Sequence, residues 1–280
     1  MEKKDLKPAG VFRYFEEICQ VPRPSKKEEK IIAFLKAFGE KHKLETKVDE
    51  AGNVLIKKPA TPGMENRKGV ILQAHMDMVP QKNSSVKHDF LTDPIDAYID
   101  GDWVKARETT LGADNGMGAA FAMAVLADKT LTHGPLEALF TINEEVGMDG
   151  AVGLKPGFLK GEILLNCDSE EEGELFVGCA GGADLNVFMQ FKEDTYIPEG
   201  DVAVKISLTG LKGGHSGVDI RRWGIGTETM SGPIYGAWNP NDEAFVLIET
   251  RACVFPKYDS WPLPQQEETA NSNIKQPTGW

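Results

Sequence analysis

The run Gly69-Val70-Ile71-Leu72-Gln73-Ala74 constrains the fold more than any other stretch of this sequence. It is short, almost wholly apolar and without polar alternation, as a strand covered on both faces is. Leu136 to Ile142 and Glu162 to Asn166 read as two further buried strands. Helical periodicity lies between and before them. Val11, Phe12, Phe15 and Ile18 recur at helical spacing, and Ser25-Lys26-Lys27-Glu28 has the form of a capping box ahead of Ile31, Ile32, Leu35 and Phe38. The intervening VPRPS reads as an irregular loop. Leu44 to Val48 and Asn53 to Lys57 read as strands joined by a turn at Asp49 to Gly52; Ala97 to Ile99 and Trp103 to Lys105 flank the hairpin signal Asp100-Gly101; Gly118 to Ala127 is an Ala-rich helix. Strands alternating with helices predict an α/β sheet covered on both faces.

Three strand ends and one glycine-rich turn carry residues with chemistry. Gln73-Ala74-His75-Met76-Asp77 delivers an imidazole and a carboxylate two residues apart, on one side of an extended segment. That arrangement suits a metal ligand plus a carboxylate that orients its ring; a lone H-x-D is more often surface decoration. Leu111-Gly112-Ala113-Asp114-Asn115-Gly116-Met117-Gly118 sets an Asp in a glycine-rich turn before a helix, where it could serve simply as a cap. The spacing is that of neither a dinucleotide fingerprint nor a P-loop. Glu144 and Glu145 follow an apolar strand and repel each other unless a cation or solvent relieves them, although paired glutamates also begin ordinary solvated helices. Asp168 ends the last strand. In open α/β sheets ligands gather at carboxyl strand ends, and four acidic or His-bearing sites on one rim make a metal cluster the better explanation.

Composition narrows the function classes. With 43 acidic and 31 basic residues the formal charge is −12, so nothing draws the chain to nucleic acid or to an anionic membrane. No segment approaches the eighteen uninterrupted apolar residues of a membrane span, and no apolar stretch backs the N-terminal lysines as in a signal peptide, so a cytoplasmic location is expected. Cys19, Cys167, Cys179 and Cys253 are widely spaced and read as buried, reduced thiols.

Taken in order, VPRPSKKEEKI, HMDMV, GADNGMG, NEEVGMDG and NCDSEEEG resemble the metallopeptidase family that includes carnosinases and aminoacylases, and within it the dipeptidases. The likeness spans roughly residues 8 to 220. It implies a zinc-peptidase-like fold, a doubly covered mixed sheet with the start of a smaller α+β lid domain. It also implies hydrolysis of unblocked dipeptides, of Xaa-His type or broad, by a two-metal-activated water; an aminoacylase or deacylase is the alternative within the family, and a folded non-catalytic fragment the alternative outside it. The metal would be Zn2+, two per active site, with Co2+ or Mn2+ as substitutes. Asp114 would bridge the ions, His75 and Asp168 would complete one site, Glu145 would contribute to the other, Asp77 would orient His75, and Glu144 would be the general base. A cis peptide would follow the bridging Asp. His215, in Leu211-Lys212-Gly213-Gly214-His215-Ser216-Gly217, would reach the substrate from the lid. The partner would be a small peptide substrate, with homodimers usual in the family.

The chain departs from the family after GGHSG. Four of its five tryptophans fall from residue 223 onward, no His follows His215, and Arg221 to Phe245 does not align with the family pattern. We therefore expect a catalytic domain over residues 1–182 lacking its C-terminal return segment, the beginning of a lid at 183–222, and a divergent tail at 223–280. On that expectation the second metal site lacks its final His, activity is impaired, and dimerisation is doubtful.

Overall fold

The computed structural model describes residues 6–83, 85–169 and 173–178, with the backbone of three strands beyond them. The chain divides into two compact units, Met1–Phe176 and Val177–Trp280. The expected boundaries at 182/183 and 222/223 both lie outside the described residues.

The first unit opens with α1 (Ala9–Cys19) and α2 (Glu29–His42), followed by β1 (Glu45–Val48) and β2 (Val54–Lys58). Then come β3 (Val70–His75), the hairpin of β4 (Ala97–Asp100) and β5 (Trp103–Ala106), α3 (Ala113–Ala127), β6 (Leu136–Thr141), the short α4 (Asp149–Gly153) and β7 (Ile163–Asn166). The main sheet has the order β1-β2-β6-β3-β7. Its first two pairings are antiparallel, whereas β3 runs parallel to both β6 and β7, with His75 opposite Thr141 and Gln73 opposite Asn166. The sheet is mixed, and its parallel half delivers three carboxyl ends to one rim.

Alternation along the central strands builds two cores. Val54 and Ile56, Leu72 and Ala74, Ala138 and Phe140 face α1, α2 and α3, joining Phe15, Ile18, Leu35 and Met123. The intervening Leu55, Ile71 and Leu139 point the other way and meet Leu154, Phe158 and Leu159. Each strand of this kind is buried on both faces, as its unbroken apolar run predicts. The small Ala119, Ala120 and Ala122 of α3 are fully buried where that helix lies against β3 and α1.

Three expectations are corrected. The first concerns β7, which is exposed along its length, with Ile163, Leu164 and Leu165 at 40–52% exposure. Among the described residues it is an edge strand, and periodicity reports an apolar side chain without reporting what covers it. The second concerns Ser25, which caps no helix. The N-cap of α2 is Glu28, with no side-chain cap, and Ser25 Oγ donates instead to Asp77 Oδ2 at 2.8 Å. The third concerns α3, whose backbone is non-helical at Asp114 and Asn115 and runs as regular helix from Gly116, two residues before the expected start at Gly118. Of the cysteines, Cys19 is buried but Cys167 is half-buried, while Cys179 and Cys253 lie outside the described residues.

In the second unit β8 (Val202–Ile206), β9 (Ile234–Asn239) and β10 (Ala244–Thr250) form an antiparallel sheet of order β10-β9-β8. Two of these strands, β9 and β10, fall in the tail expected to diverge from the family.

Candidate metal centre

The rim at the ends of β3, β6 and β7 collects the acidic residues. His75, the last residue of β3, is fully buried, and its two ring nitrogens face opposite environments. Nδ1 lies 3.2 Å from Asp77 Oδ1 and 3.1 Å from the Asp77 carbonyl oxygen. Nε2 lies 2.9 Å from Asp114 Oδ1, 3.7 Å from Asp168 Oδ1 and 3.9 Å from Glu144 Oε2. In the neutral ring, a proton on Nδ1 donated to Asp77 would leave the Nε2 lone pair aimed into the acidic cluster.

Asp77 is a junction. Besides His75, its carboxylate accepts from Ser25 Oγ, from Glu144 N at 3.0 Å and from Glu145 N at 3.3 Å. One buried anion thus holds the imidazole and the backbone of both glutamates. Burial pushes its pKa up, yet the bonds from His75, Ser25 and Glu144 outweigh that and leave it below the usual value.

Asp114 comes from the turn that opens α3. The N-cap there is Gly112, in the left-handed region, rather than Asp114. The Asp114–Asn115 peptide is cis. Asn115, buried beneath, donates through Nδ2 to Asp168 Oδ1. Gly118 lets the helix approach, since a Cβ there would sit 2.6 Å from the Cys167 carbonyl oxygen. With its side chain 42% exposed, Asp114 marks the open side of the site.

The electrostatics are those of surplus negative charge. For Glu145, burial and then the nearby Asp114 push the pKa up to about 7. For Asp168, burial first and then Asp114 and Glu144 push it up to about 6, with His75 opposing. On His75 burial acts downward, but Asp114, Asp77 and Asp168 carry it to about 10. Two groups have ligand atoms within 4.8 Å of one another: His75, Asp114 and Asp168, and His75, Glu144 and Glu145. A directed imidazole nitrogen with converging carboxylates is a donor set that fits a zinc-like divalent ion. Both groups share His75, whereas the resemblance implied Asp114 as the shared ligand.

His215 lies outside the described residues. Sequence reasoning missed Arg23, Ser25 and Asn115, which reach the site from a loop and a turn. Among the described residues no helix is long and apolar enough to cross a membrane.

Residues 71–180, which include every residue of this cluster, match the family described as peptidase family M20/M25/M40. The chain carries a domain of that peptidase family. It is 52% identical over 219 residues to the cytosol non-specific dipeptidase of Escherichia coli strain K12, covering 78% of this chain and 45% of that protein. The crystal structure of aminoacylhistidine dipeptidase from Vibrio alginolyticus is 53% identical, with a TM-score of 0.64 over 79% of this chain and 45% of the other. An uncharacterised Bacillus subtilis strain 168 protein, YqjE, is 25% identical over 265 residues, 88% of this chain and 67% of its own. The chain thus spans under half the length of the two dipeptidases.

Proposed function

We propose that the cluster around His75 is the metal centre of a dipeptidase acting on unblocked dipeptides. The observation that carries this is the double-sided setting of His75, its Nδ1 on the buried Asp77 and its Nε2 among Asp114, Asp168 and Glu144. The M20-family domain and the 52% identity to a dipeptidase support it. His75, Asp114 and Asp168 would hold one divalent ion, zinc by its donor preference, and Glu145 would contribute to a second with Asp114 shared; Co2+ or Mn2+ could substitute. An ion bound there lowers the pKa of a water and polarises the scissile carbonyl.

The chain's own residues do the rest. Glu144, beside the cluster with its backbone N–H pinned to Asp77, takes a proton from the attacking water and passes it to the leaving amine. Asp77 keeps its negative charge and fixes the imidazole tautomer throughout. His215 would meet the substrate and stabilise the developing oxyanion. The three segments expected from sequence, a catalytic domain over 1–182, the beginning of a lid over 183–222 and a distinct tail after it, belong to this reading. So does a cytosolic location, after the name of the Escherichia coli relative.

The test is release of free amino acid from a panel of dipeptides, Xaa-His included, with zinc, cobalt or manganese, against release from N-acyl amino acids. Metal-dependent cleavage of the dipeptides alone is expected. Preferential cleavage of the N-acyl substrates would make the protein a deacylase, and no turnover of either would contradict the reading.

A further inference from the structure

Arg23 is the one Lys or Arg buried among the described residues, at 2% exposure. It sits in the loop between α1 and α2, yet its side chain ends behind the acidic cluster. Nη1 donates to the carbonyl oxygens of Met76 at 3.1 Å and Asp77 at 2.8 Å, and Nη2 donates to that of Gly112. These acceptors belong to two separate segments. One carries His75 and Asp77 out of β3; the other opens into Asp114. The loop backbone is tied to the first of them, through Met78 N to Arg23 O at 3.1 Å and Ser25 N to Met78 O at 3.2 Å.

The glycines flanking Asp114 make room for the guanidinium. A Cβ on Gly112, whose φ is +68°, would lie 2.5 Å from Arg23 Nη2; a Cβ on Gly116 would lie 2.6 Å from the same atom and 3.0 Å from Phe15 Cε2. A full positive charge is expensive to bury, and here burial lowers the Arg23 pKa while Cys19, Asp77, Asp114 and Glu145 act to raise it. An arginine stays charged under these conditions. Its planar fork bridges two segments at a spacing fixed by its own geometry, whereas a lysine offers one point charge on a flexible stem.

We infer that Arg23 is a positioning residue: it clamps the Met76–Asp77 carbonyls to the Gly112 carbonyl, so setting the His75–Asp114 spacing, and lays one permanent positive charge behind the carboxylates. What the spacing is for rests on the metal reading above. The clamp itself stands on the hydrogen bonds and on the space cleared for them.

The experiment compares the wild type with Arg23→Met, Arg23→Lys and Gly116→Ala. Far-UV circular dichroism checks folding, cobalt titration of the metal-free proteins gives affinity, and the visible spectrum of the cobalt form reports ligand geometry. Arg23→Met should weaken cobalt binding about 10–100-fold, the range for a residue acting on ligands from outside, and shift the spectrum. Arg23→Lys should recover part of the affinity, because the charge returns, while the spectrum stays shifted because the fork does not. A folded Arg23→Met with wild-type affinity and spectrum overturns the inference. Should Arg23→Met fail to fold, Gly116→Ala decides: it pushes on the guanidinium without removing it, so a shifted spectrum supports the clamp and a wild-type spectrum overturns it. A wild type that takes up no cobalt refutes the metal reading instead. Hydrogen exchange then judges the clamp alone, faster exchange at Met78 and Gly116 in the variants supporting it and unchanged exchange overturning it.

Discussion

Asp77 and the outer pair Glu145 and Asp168 are carboxylates around one imidazole, and their surroundings drive them apart. Asp77 is fully buried, which alone would raise its pKa, but His75, Ser25 and the backbone N–H of Glu144 hold it ionised. Glu145 and Asp168 also lose solvent, and their strongest neighbouring carboxylate, Asp114, adds to the penalty rather than relieving it. Hydrogen-bond donors prevail around the inner carboxylate; around the outer ones burial and like charges outweigh His75. Such divergence separates roles: the inner group is a fixed anchor, and the outer groups hold negative charge that a cation would relieve.

The sharpest way to break this division is at Glu144. Glu144→Gln keeps the side-chain shape and the backbone bond to Asp77 but removes the proton acceptor. Dipeptide turnover should fall about 10²–10⁴-fold, with metal affinity close to wild type. Steady-state kinetics beside calorimetric zinc titration checks both; loss of zinc by Glu144→Gln but not by Glu145→Gln would exchange the two assignments.

Asp77→Asn attacks the inner side. It removes the anion that keeps the Nδ1 proton in place and weakens the hold on Glu144 and Glu145. Metal affinity or turnover should fall about 10–100-fold. An Asp77→Asn protein with wild-type affinity and rate would remove the inner carboxylate from the account.

A smaller effect lies in the pH dependence of the metal-free protein. Glu145 at about 7 and Asp168 at about 6 stand above ordinary carboxylates, and His75 at about 10 stands above an ordinary histidine. All three hold protons in the folded state that the unfolded chain releases at lower pH. The stability they contribute is fully present below the unfolded values and is lost as pH rises through the folded ones. Thermal denaturation without metal should therefore show Tm falling from pH 5 to pH 9, and the zinc-induced rise in Tm growing over the same span, because bound ligands are deprotonated. A metal-free Tm that climbs across that window would show the cluster is not under this strain.

How far the sequence reveals these environments depends on where each residue's partners lie. The apolar run of β3 fixes a strand, and the H-x-D spacing then brings His75 and Asp77 together through local geometry. The same kind of run in β7 is exposed, because an edge is defined by what is beside it. Ser25 through Glu28 has capping-box spacing, but Ser25 is taken by Asp77, and Glu28 Oε1 accepts from Lys26 N and from Asn143 N, each at 3.1 Å. Asp77 for Ser25 and Asn143 for Glu28 are non-local partners that a local motif does not show. Arg23, between Val21-Pro22 and Pro24, gives no sign of burial, since its acceptors are main-chain carbonyls 53 to 89 residues away. Residue type cannot announce contacts of that kind, and only the assembled rim shows them.

Zinc binding by metal-free wild type and His75→Ala, measured by isothermal titration, reads the metal centre itself. His75 is the one residue common to both groups of converging ligands, and Asp77 has oriented it toward them. The wild type should bind zinc, and His75→Ala, folded by circular dichroism, should lose more affinity than the about 10–100-fold expected of Asp77→Asn. Equal affinity in the two proteins, or no zinc uptake by the wild type, would contradict the metal reading.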